Sequence, residues 1–282
     1  MPAPTISQSG DSLATLEGLT VLVGGGKMGG AMLEGWLRLG LDPSRTIVLD
    51  PEPSEAVSRA AKGGIQINPD LTGVEPARTI ILAVKPQVAA SVLPGLQRLV
   101  GSETLAISVM AGKTMAFLQS GLPGAAIVRA MPNTPAAIGR GITVAVSSSG
   151  ATQAQRETAD RLLGAVGAVE WVEDEGLLDA VTAVSGSGPA YVFLLAESLA
   201  RAGEAAGLPP ALSAKLARFT ISGSGELLRQ SSLDPAQLRA NVTSPAGTTA
   251  AALSVLMADD GLERLMEQAV AAATRRSREL AG

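Results

Sequence analysis

The sequence predicts an α/β fold in which a parallel-sheet domain is followed by an all-α domain. Two observations predict it. The first half of the 282 residues alternates short, wholly apolar runs with helical stretches, as expected for strands that are buried on both faces. From about Glu173 onward the short runs stop, and long segments rich in alanine and leucine follow. We therefore expect a domain boundary near residues 172–174.

Turn signals bound the first strand and the first helix. Leu19–Val23 is an apolar run of strand length that ends abruptly at three glycines. In the next segment Met28, Met32 and Trp36 recur at helical spacing on one face, and Gly40 ends the helix. Five further apolar runs are predicted to be strands: Thr46–Leu49, Thr79–Val84, Thr104–Val109, Ala126–Ala130 and Ile142–Val146.

The second half is predicted to contain four long helices, over Ala190–Ala206, Pro210–Leu228, Gly247–Met257 and Leu262–Leu280. The first 18 residues are polar and lack the basic start and apolar core of a signal peptide. We therefore expect a disordered tail over residues 1–18, an α/β domain over 19–172 and a helical domain over 173–282.

The composition excludes several classes of function. The chain has no cysteine and no histidine, which rules out disulfides, the usual zinc sites and Ser-His-Asp or Cys-His machinery, so no metal is expected. The net charge of −4 and the 2% aromatic content offer neither a basic field nor stacking platforms, so no nucleic-acid partner is expected.

The hydrophobic content of 46% raises the question of a membrane. The charge-free stretch at residues 180–196 is interrupted by Ser185-Gly186-Ser187-Gly188-Pro189, which makes it a poor spanning helix. We therefore expect a cytoplasmic protein with no membrane partner. Many small aliphatic side chains suit close helix packing and a buried subunit interface.

A glycine-rich turn between a strand and a helix indicates nucleotide binding. Gly24, Gly26 and Gly29, with Lys27 and Met28 between the last two, fit the pattern G-x-G-x-x-G. Glycines in this pattern allow a tight turn and let a pyrophosphate approach the free amides at the start of the helix. The alternative is a purely structural turn. Because the strand, the glycines, the helix and the next strand fall in register, we predict a Rossmann-like, dinucleotide-binding domain.

Asp50, which ends the next strand 21 residues after Gly29, bears on the choice of cofactor. A carboxylate here can accept a hydrogen bond from a ribose 2′-hydroxyl and would repel a 2′-phosphate. Arg59 and Lys62 could supply the opposite charge, and Asp50 could also be a turn residue before Pro51. The residues slightly favour NADH, and the predicted cofactor remains NADPH or NADH.

Two further loops follow predicted strands and are expected to reach the cofactor. One is Val84-Lys85-Pro86, and the other contains Ala111. In an open parallel sheet, ligands lie beyond the carboxyl ends of the strands, where both loops begin. A solvated loop lysine is the alternative interpretation of Lys85.

Three more runs, together with the glycine pattern and Val84-Lys85-Pro86, carry a resemblance to a known family. They are Arg129-Ala130-Met131-Pro132-Asn133-Thr134-Pro135, Ser185-Gly186-Ser187-Gly188-Pro189-Ala190-Tyr191 and Val242-Thr243-Ser244-Pro245-Ala246-Gly247-Thr248-Thr249. From about Leu19 to its end the chain resembles pyrroline-5-carboxylate reductase. The resemblance implies a Rossmann-like domain, a helical dimerisation domain, homodimers that assemble further, and reduction of 1-pyrroline-5-carboxylate to L-proline by NAD(P)H, the last step of proline biosynthesis.

The run before the predicted helix 247–257 is also interpretable from its residues alone. Ser244 or a neighbour can cap a helix in which Pro245 takes the first turn. Gly247, Thr248 and Thr249 would then offer free amides and two hydroxyls to a small carboxylate, although an ordinary helix cap explains the same residues. Ala246 stands where the family commonly has glycine.

The resemblance assigns roles to individual residues. Thr249 is the implied hydrogen-bond partner of the imine nitrogen, while Ser244, Gly247 and Thr248 hold the substrate carboxylate. Glu175 matches an acidic position of the substrate pocket, with a solvated acid at a helix start as the alternative. Two asparagines match positions near the cofactor, namely Asn133, in the loop beside the nicotinamide, and Asn241.

Two competing functions are weighed against this one. A β-hydroxyacid dehydrogenase also joins a glycine-rich domain to helices, but it uses a helical-domain lysine with asparagine four residues later. Here Lys215 is followed at that spacing by Phe219. A non-catalytic dinucleotide sensor is the other alternative, and the polar run 244–249 favours a small-molecule pocket instead. The missing histidine suits an imine substrate, because a protonated imine needs no strong acid to accept hydride.

Overall fold

A computed structural model of the chain describes residues 12–281, which fold as two compact units. The first unit comprises residues up to 186 together with the end of the chain from 274, and the second comprises residues 187–273. The predicted boundary at 172/173 therefore falls before the end of the first unit.

The predicted disordered tail, residues 1–18, is only partly within the described residues, because 1–11 lie outside them. For residues 12–18 the prediction is wrong. Leu13 is fully buried, and its amide donates a hydrogen bond of 2.8 Å to the carbonyl of Leu39. A leucine placed under the end of the first helix ties this segment to the α/β unit, and the polar composition around it concealed that contact.

Eight strands form one sheet in the order β3-β2-β1-β4-β5-β6-β7-β8. Neighbouring strands are parallel except for β6 and β7, which are antiparallel. The strands are β1 Thr20–Val23, β2 Thr46–Leu49, β3 Gln66–Ile67, β4 Thr79–Leu82, β5 Leu105–Ser108, β6 Ala126–Met131, β7 Gly141–Ser147 and β8 Gly167–Trp171.

Helices cover both faces of the sheet and form a core on each. One core contains Met32 and Trp36, whose indole N–H donates a 2.7 Å hydrogen bond to the carbonyl of Leu162. The other contains Ile80 and Leu93. The helices of this unit are α1 Lys27–Arg38, α2 Glu55–Ala61, α3 Ala89–Leu96, α4 Met115–Gly121, α5 Gln153–Gly164 and α6 Leu177–Val181.

All six predicted strands are present, but the expectation of a wholly parallel sheet is wrong at β7. The segment from β6 to β7 contains only a 3₁₀ turn, Thr134–Ile138, which is too short for the crossover that a parallel neighbour needs. Strands β3 and β8 lie at the two edges of the sheet. They escaped prediction because β3 has two residues and β8 mixes Glu170 and Trp171 with small residues.

The second unit consists of helices. They are α7 Gly188–Ala205, α8 Pro210–Gln230, α9 Pro235–Asn241, α10 Thr248–Leu256 and α11 Leu262–Ala281, whose last residues belong to the first unit. Helices α7 and α8 approach closely because Gly203 leaves room for Ser213. The Ser213 hydroxyl donates a 2.6 Å hydrogen bond to the carbonyl of Ala200.

The predicted interruption at residues 185–189 is helical except for a bend at Ser187. A π-helical turn, Thr182–Gly186, follows α6, and α7 begins at Gly188 with Pro189 in its first turn. By length and composition alone, the helical stretch Leu177–Ala205 could cross a membrane. Within its most apolar 18-residue segment, 11% is buried inside the chain. The same properties describe a helix that packs against a partner subunit.

Candidate active site

The sheet reverses its winding direction at β1, which lies between β2 and β4. The loops that follow β1 and β4 therefore start side by side at the carboxyl edge of the sheet. In open α/β sheets this switch point is where ligands bind. The glycine-rich loop and Val84-Lys85-Pro86 both begin here, as predicted.

Two of the three glycines in the G-x-G-x-x-G pattern are required by close contacts. Gly24 has a φ of +95°, and a Cβ atom there would lie 2.7 Å from the carbonyl carbon of Ala83. A Cβ atom on Gly29 would lie 2.0 Å from the carbonyl oxygen of Gly24. Gly26 differs, because a Cβ atom there would meet nothing within 4 Å. Two glycines thus pack the loop against β4 and α1, and the third faces open space.

Two side chains brace this loop from the neighbouring segment. The Oδ2 atom of Asp50 accepts a hydrogen bond of 2.5 Å from the amide of Gly25. The hydroxyl of Ser54 donates a hydrogen bond of 2.6 Å to the carbonyl of Gly25 and also caps α2 by accepting from the amide of Val57. Ser54 was not predicted as a site residue, although a serine directly before a helix is a recognisable cap signal.

The start of α1 has the features of an anion site. The first hydrogen bond within the helix runs from the amide of Gly30 to the carbonyl of Gly26, so the amides of Lys27, Met28 and Gly29 have no partner in the helix. Lys27 is exposed in the first turn. A pyrophosphate fits this arrangement of open backbone, free amides and one cation.

A cleft of about 460 Å³ lies beside the loop, between the ends of β2 and β4 and helix α3. Its walls are largely apolar, with Asp50 as the one charged residue among those that line it. Asn68 brackets the backbone of Asp50, because its Oδ1 atom accepts from the Asp50 amide at 2.9 Å and its Nδ2 atom donates to the Asp50 carbonyl at 2.7 Å. Asn68 adopts a φ of 47°. The cleft suits an adenosine, and no local pattern pointed to Asn68.

Arg59, considered as a cation for a 2′-phosphate, is engaged elsewhere. Its guanidinium forms ion pairs of 2.9 Å with both Glu34 and Glu55. The hydrogen bond to Glu34, followed by the charge of Glu55, raises the pKa of Arg59. Lys62 is exposed, and no ion pair is found for it among the described residues.

The loops after β4 and β5 are placed as predicted. Val84 lines the cleft, and Pro86 is half-buried in the first position of a 3₁₀ turn, Pro86–Val88. Lys85 precedes that turn with its side chain exposed and, within the described part of the chain, in no ion pair. Ala111 is exposed after β5.

Asn133 braces the loop after β6. Its Oδ1 atom accepts a 3.0 Å hydrogen bond from the amide of Ile142, which closes the turn that leads into β7. The preceding Met131 touches the π-helical turn, since a Cβ atom on Gly186 would lie 2.9 Å from its Cε atom. Two of the runs that suggested the family therefore meet at the end of β6.

Glu175 is engaged within the first unit. Its Oε1 atom accepts hydrogen bonds from the guanidinium of Arg129, on β6, and from the amide of Met115, at the start of α4. The side chain of Arg129 is 12% exposed and that of Glu175 35%. Arg129 was missed as the partner, because its position in an apolar strand does not indicate which acid it meets.

In the second unit the run 244–249 forms a turn followed by α10. The N-cap is Gly247, so the cap is a neighbour of Ser244, one of the two options left open by the sequence. Pro245 precedes the helix, and its expected place in the first turn is wrong. Gly247 instead donates its amide to the carbonyl of Ser244 at 3.1 Å. Ala246 takes a φ of 56°, the left-handed conformation in which glycine would be free of strain.

The polar groups predicted for the substrate lie at this helix start. Thr248 and Thr249 occupy the first turn of α10, and among the described residues neither hydroxyl makes a hydrogen bond. Asn241 ends α9, and its Oδ1 atom accepts a 2.9 Å hydrogen bond from Gln237. The predicted cofactor residues other than Asn241 lie in the first unit, and the predicted substrate residues other than Glu175 lie in the second.

Comparison with known proteins identifies the family. Residues 175–280 match the model for pyrroline-5-carboxylate reductase dimerisation, and residues 19–112 match the model described as NADP oxidoreductase, coenzyme F420-dependent. The pyrroline-5-carboxylate reductase of Pseudomonas aeruginosa is 38% identical over 92% of this chain and 95% of its own length. That of Synechocystis is 40% identical over 92% of this chain and 97% of its own. The chain belongs to the pyrroline-5-carboxylate reductase family.

Solved members of the family share the fold. The Coxiella burnetii pyrroline-5-carboxylate reductase superposes with a TM-score of 0.85 at 33% identity, covering 94% of this chain and 99% of that one. The Plasmodium falciparum pyrroline carboxylate reductase, solved with NADP bound, gives a TM-score of 0.77 at 28% identity and covers 94% and 98%. The resemblance drawn from the motifs is confirmed, as is a Rossmann-like domain followed by a helical dimerisation domain.

Proposed function

We propose that this protein reduces 1-pyrroline-5-carboxylate to L-proline with NADH or NADPH, the last step of proline biosynthesis. One observation carries the proposal. A chain that belongs to this reductase family keeps an intact dinucleotide cradle, in which Gly24 and Gly29 have no room for a Cβ atom. The free amides at the start of α1 and the cleft beside Asp50 provide places for the pyrophosphate and the adenosine.

The dinucleotide, when bound, supplies the hydride. The chain's own contribution is to bind and orient. In this proposal the amides of Lys27 and Met28 hold the pyrophosphate, with the Lys27 ammonium nearby. The remainder of the dinucleotide is bound by Lys85, Ala111 and the loop that Asn133 braces. All three lie along the same carboxyl edge of the sheet.

Substrate recognition is assigned to the start of α10, and the family pattern assigns Asn241 to cofactor binding. The carboxylate of the substrate is held by the amide of Thr248 and the hydroxyl of Ser244, at the positive end of the helix. Gly247 donates its own amide to the carbonyl of Ser244 and leaves room for the Ser244 hydroxyl. The unpartnered hydroxyl of Thr249 hydrogen-bonds the imine nitrogen. Its role is to orient the substrate, because a protonated imine brings its own proton and its reduction yields an amine rather than an alkoxide.

Glu175 is assigned a positioning role. Its carboxylate already accepts from Arg129 and from the amide of Met115, so it is bound by the protein itself. We therefore assign Glu175 the role of holding β6 and α4 together, and the substrate contact implied by the family pattern becomes secondary.

The proposed assembly is a homodimer that associates further, in the cytoplasm and away from membranes. The match to the dimerisation model covers α7 to α11. Large apolar side chains stand exposed on these helices, among them Phe193 at 64% and Phe219 at 65%. Exposed apolar area of this kind marks a surface that associates with a partner.

The test is a reductase assay on the purified full chain. Mixed with 1-pyrroline-5-carboxylate, the protein is expected to oxidise NADH or NADPH and to form proline. The oxidation is monitored as a loss of absorbance of the dinucleotide. A linear 2-keto acid and a 3-hydroxy acid with NAD⁺ serve as controls, because a β-hydroxyacid dehydrogenase would act on the latter. Binding of a dinucleotide with no turnover of any of these substrates would favour the sensor and contradict the proposal.

A further inference from the structure

The charges around the adenosine cleft differ from those that a 2′-phosphate needs. The cleft is lined by apolar side chains, by Asn68 and by Asp50, and its charged lining group is therefore an acid. Pro51-Glu52-Pro53 follows directly, so the segment leaving β2 adds a second acid and no cation. The amide of Glu52 donates to the Oδ1 atom of Asp50 at 2.8 Å, which fixes the carboxylate at the rim of the cleft.

The nearby cation on α2 is already neutralised. Arg59 pairs with Glu34 and Glu55, each at 2.9 Å. To serve a 2′-phosphate it would have to leave two carboxylates, and it would leave both of them without their cation. The charged groups that line the cleft or directly follow Asp50 are therefore acids, and Lys62, the exposed cation that follows α2, is not among the lining residues.

The carboxylate of Asp50 keeps capacity for a further donor. A carboxylate has about four acceptor sites. The protein fills one on each oxygen, through the amides of Gly25 and Glu52. A ribose hydroxyl can donate to a remaining site, whereas a 2′-phosphate brings about two negative charges and no donor.

We propose that Asp50 makes this enzyme selective for NADH over NADPH. The inference rests on the proposed function, since it specifies which dinucleotide the reductase uses. Repulsion between a doubly charged phosphate and one carboxylate in a hydrated cleft is worth about a tenfold difference in affinity.

Direct binding tests the proposal without turnover. The dissociation constants of NADH and NADPH are measured on the native full chain by nicotinamide fluorescence or calorimetry, and NADH is expected to bind about tenfold more tightly. The fragments 5′-ADP and 2′,5′-ADP, used to displace NADH, are expected to show the same order. This second comparison isolates the adenosine end and needs no variant.

A matched pair of variants locates the effect. Asp50→Asn removes the charge while keeping an acceptor for the amide of Gly25. It is expected to tighten the binding of NADPH, so that the affinities for NADH and NADPH become nearly equal. Asp42→Asn removes a charge just before β2, at the end of that strand opposite to Asp50. There Asp42 accepts hydrogen bonds from the amide and the hydroxyl of Ser44. It is expected to leave the NADH preference unchanged.

The outcomes separate this proposal from the proposed function. Equal or tighter binding of NADPH by the native chain, or an unchanged preference in a folded Asp50→Asn variant, would overturn the selectivity while leaving the reductase intact. NADH binding without reduction of 1-pyrroline-5-carboxylate would overturn the function and leave the selectivity standing. Binding of neither dinucleotide would overturn both.

Discussion

The Oδ2 atom of Asp50 accepts a 2.5 Å hydrogen bond from the amide of Gly25, which joins the acid at the end of β2 to the glycine-rich loop after β1. The hydroxyl of Ser54 holds the carbonyl of the same glycine. The amide and the carbonyl of Gly25 are thus both held by side chains from the segment that follows β2. A cradle fixed in this way binds a pyrophosphate without first having to become ordered.

Gly29→Ala tests the packing of that cradle. The added Cβ atom would lie 2.0 Å from the carbonyl oxygen of Gly24, so α1 must shift away from the loop. We expect a loss of about 1–3 kcal/mol in the free energy of unfolding and a large loss of NADH affinity. Gly26→Ala is the control for stability, because its Cβ atom meets nothing within 4 Å and its φ of −67° suits alanine. Equal unfolding temperatures for the two variants would contradict this account.

Glu175→Gln separates a positioning role from a substrate contact. The change leaves the largely buried Arg129 without its ion pair, and we expect a cost of about 1–3 kcal/mol in the free energy of unfolding, measured by chemical denaturation. Glu173→Gln is the matched control, since Glu173 is 90% exposed and pairs with Arg156 at 3.7 Å. A higher KM for the substrate with unchanged stability would instead assign Glu175 to the substrate.

Thr249→Ala tests the proposed contact with the imine. Loss of the unpartnered hydroxyl is expected to lower kcat/KM about 100-fold while the dissociation constant of NADH stays the same. Ser254→Ala removes a hydroxyl from the same helix, where it bonds the carbonyl of Ala251, and should leave turnover nearly unchanged. Parallel losses of turnover and of NADH binding in Thr249→Ala would argue against a substrate role.

Ala246→Gly should stabilise the turn before α10. Alanine at a φ of 56° carries a strain that glycine does not, whereas glycine makes the unfolded chain more flexible. Because the first effect is larger, we expect the free energy of unfolding to rise by about 0.5–1 kcal/mol. Ala250→Gly, within α10, is the control and should cost about 1 kcal/mol. If both changes destabilise the protein to the same degree, the strain at residue 246 is absent.

Phe193→Arg tests the dimer. A charge in the exposed apolar surface of α7 is expected to shift the chain from dimer or larger assembly to monomer in size-exclusion chromatography with light scattering. Ile138→Arg, at a site that is 77% exposed outside the dimerisation domain, should keep the native size. The reverse pattern would place the subunit interface on the sheet domain.

Local signals in the sequence predicted the central strands, the glycine-rich turn and the long helices. Gly24, Gly29 and Asp50 were recognisable because their spacing follows from a strand, a turn and a helix in fixed order. The partners Ser54, Asn68 and Arg129 were not, since each acts through a contact with a residue distant in the chain. The antiparallel β7 and the buried Leu13 likewise depend on tertiary packing, which composition and periodicity do not report.

The most direct measurement follows the hydride itself. The protein is incubated with 1-pyrroline-5-carboxylate and dinucleotide deuterated at C4 of the nicotinamide, and the product is examined by mass spectrometry and NMR. We expect L-proline carrying one deuterium at C5, the former imine carbon. Oxidation of the dinucleotide without deuterated proline, or no oxidation at all, would contradict the assignment of this chain as a pyrroline-5-carboxylate reductase.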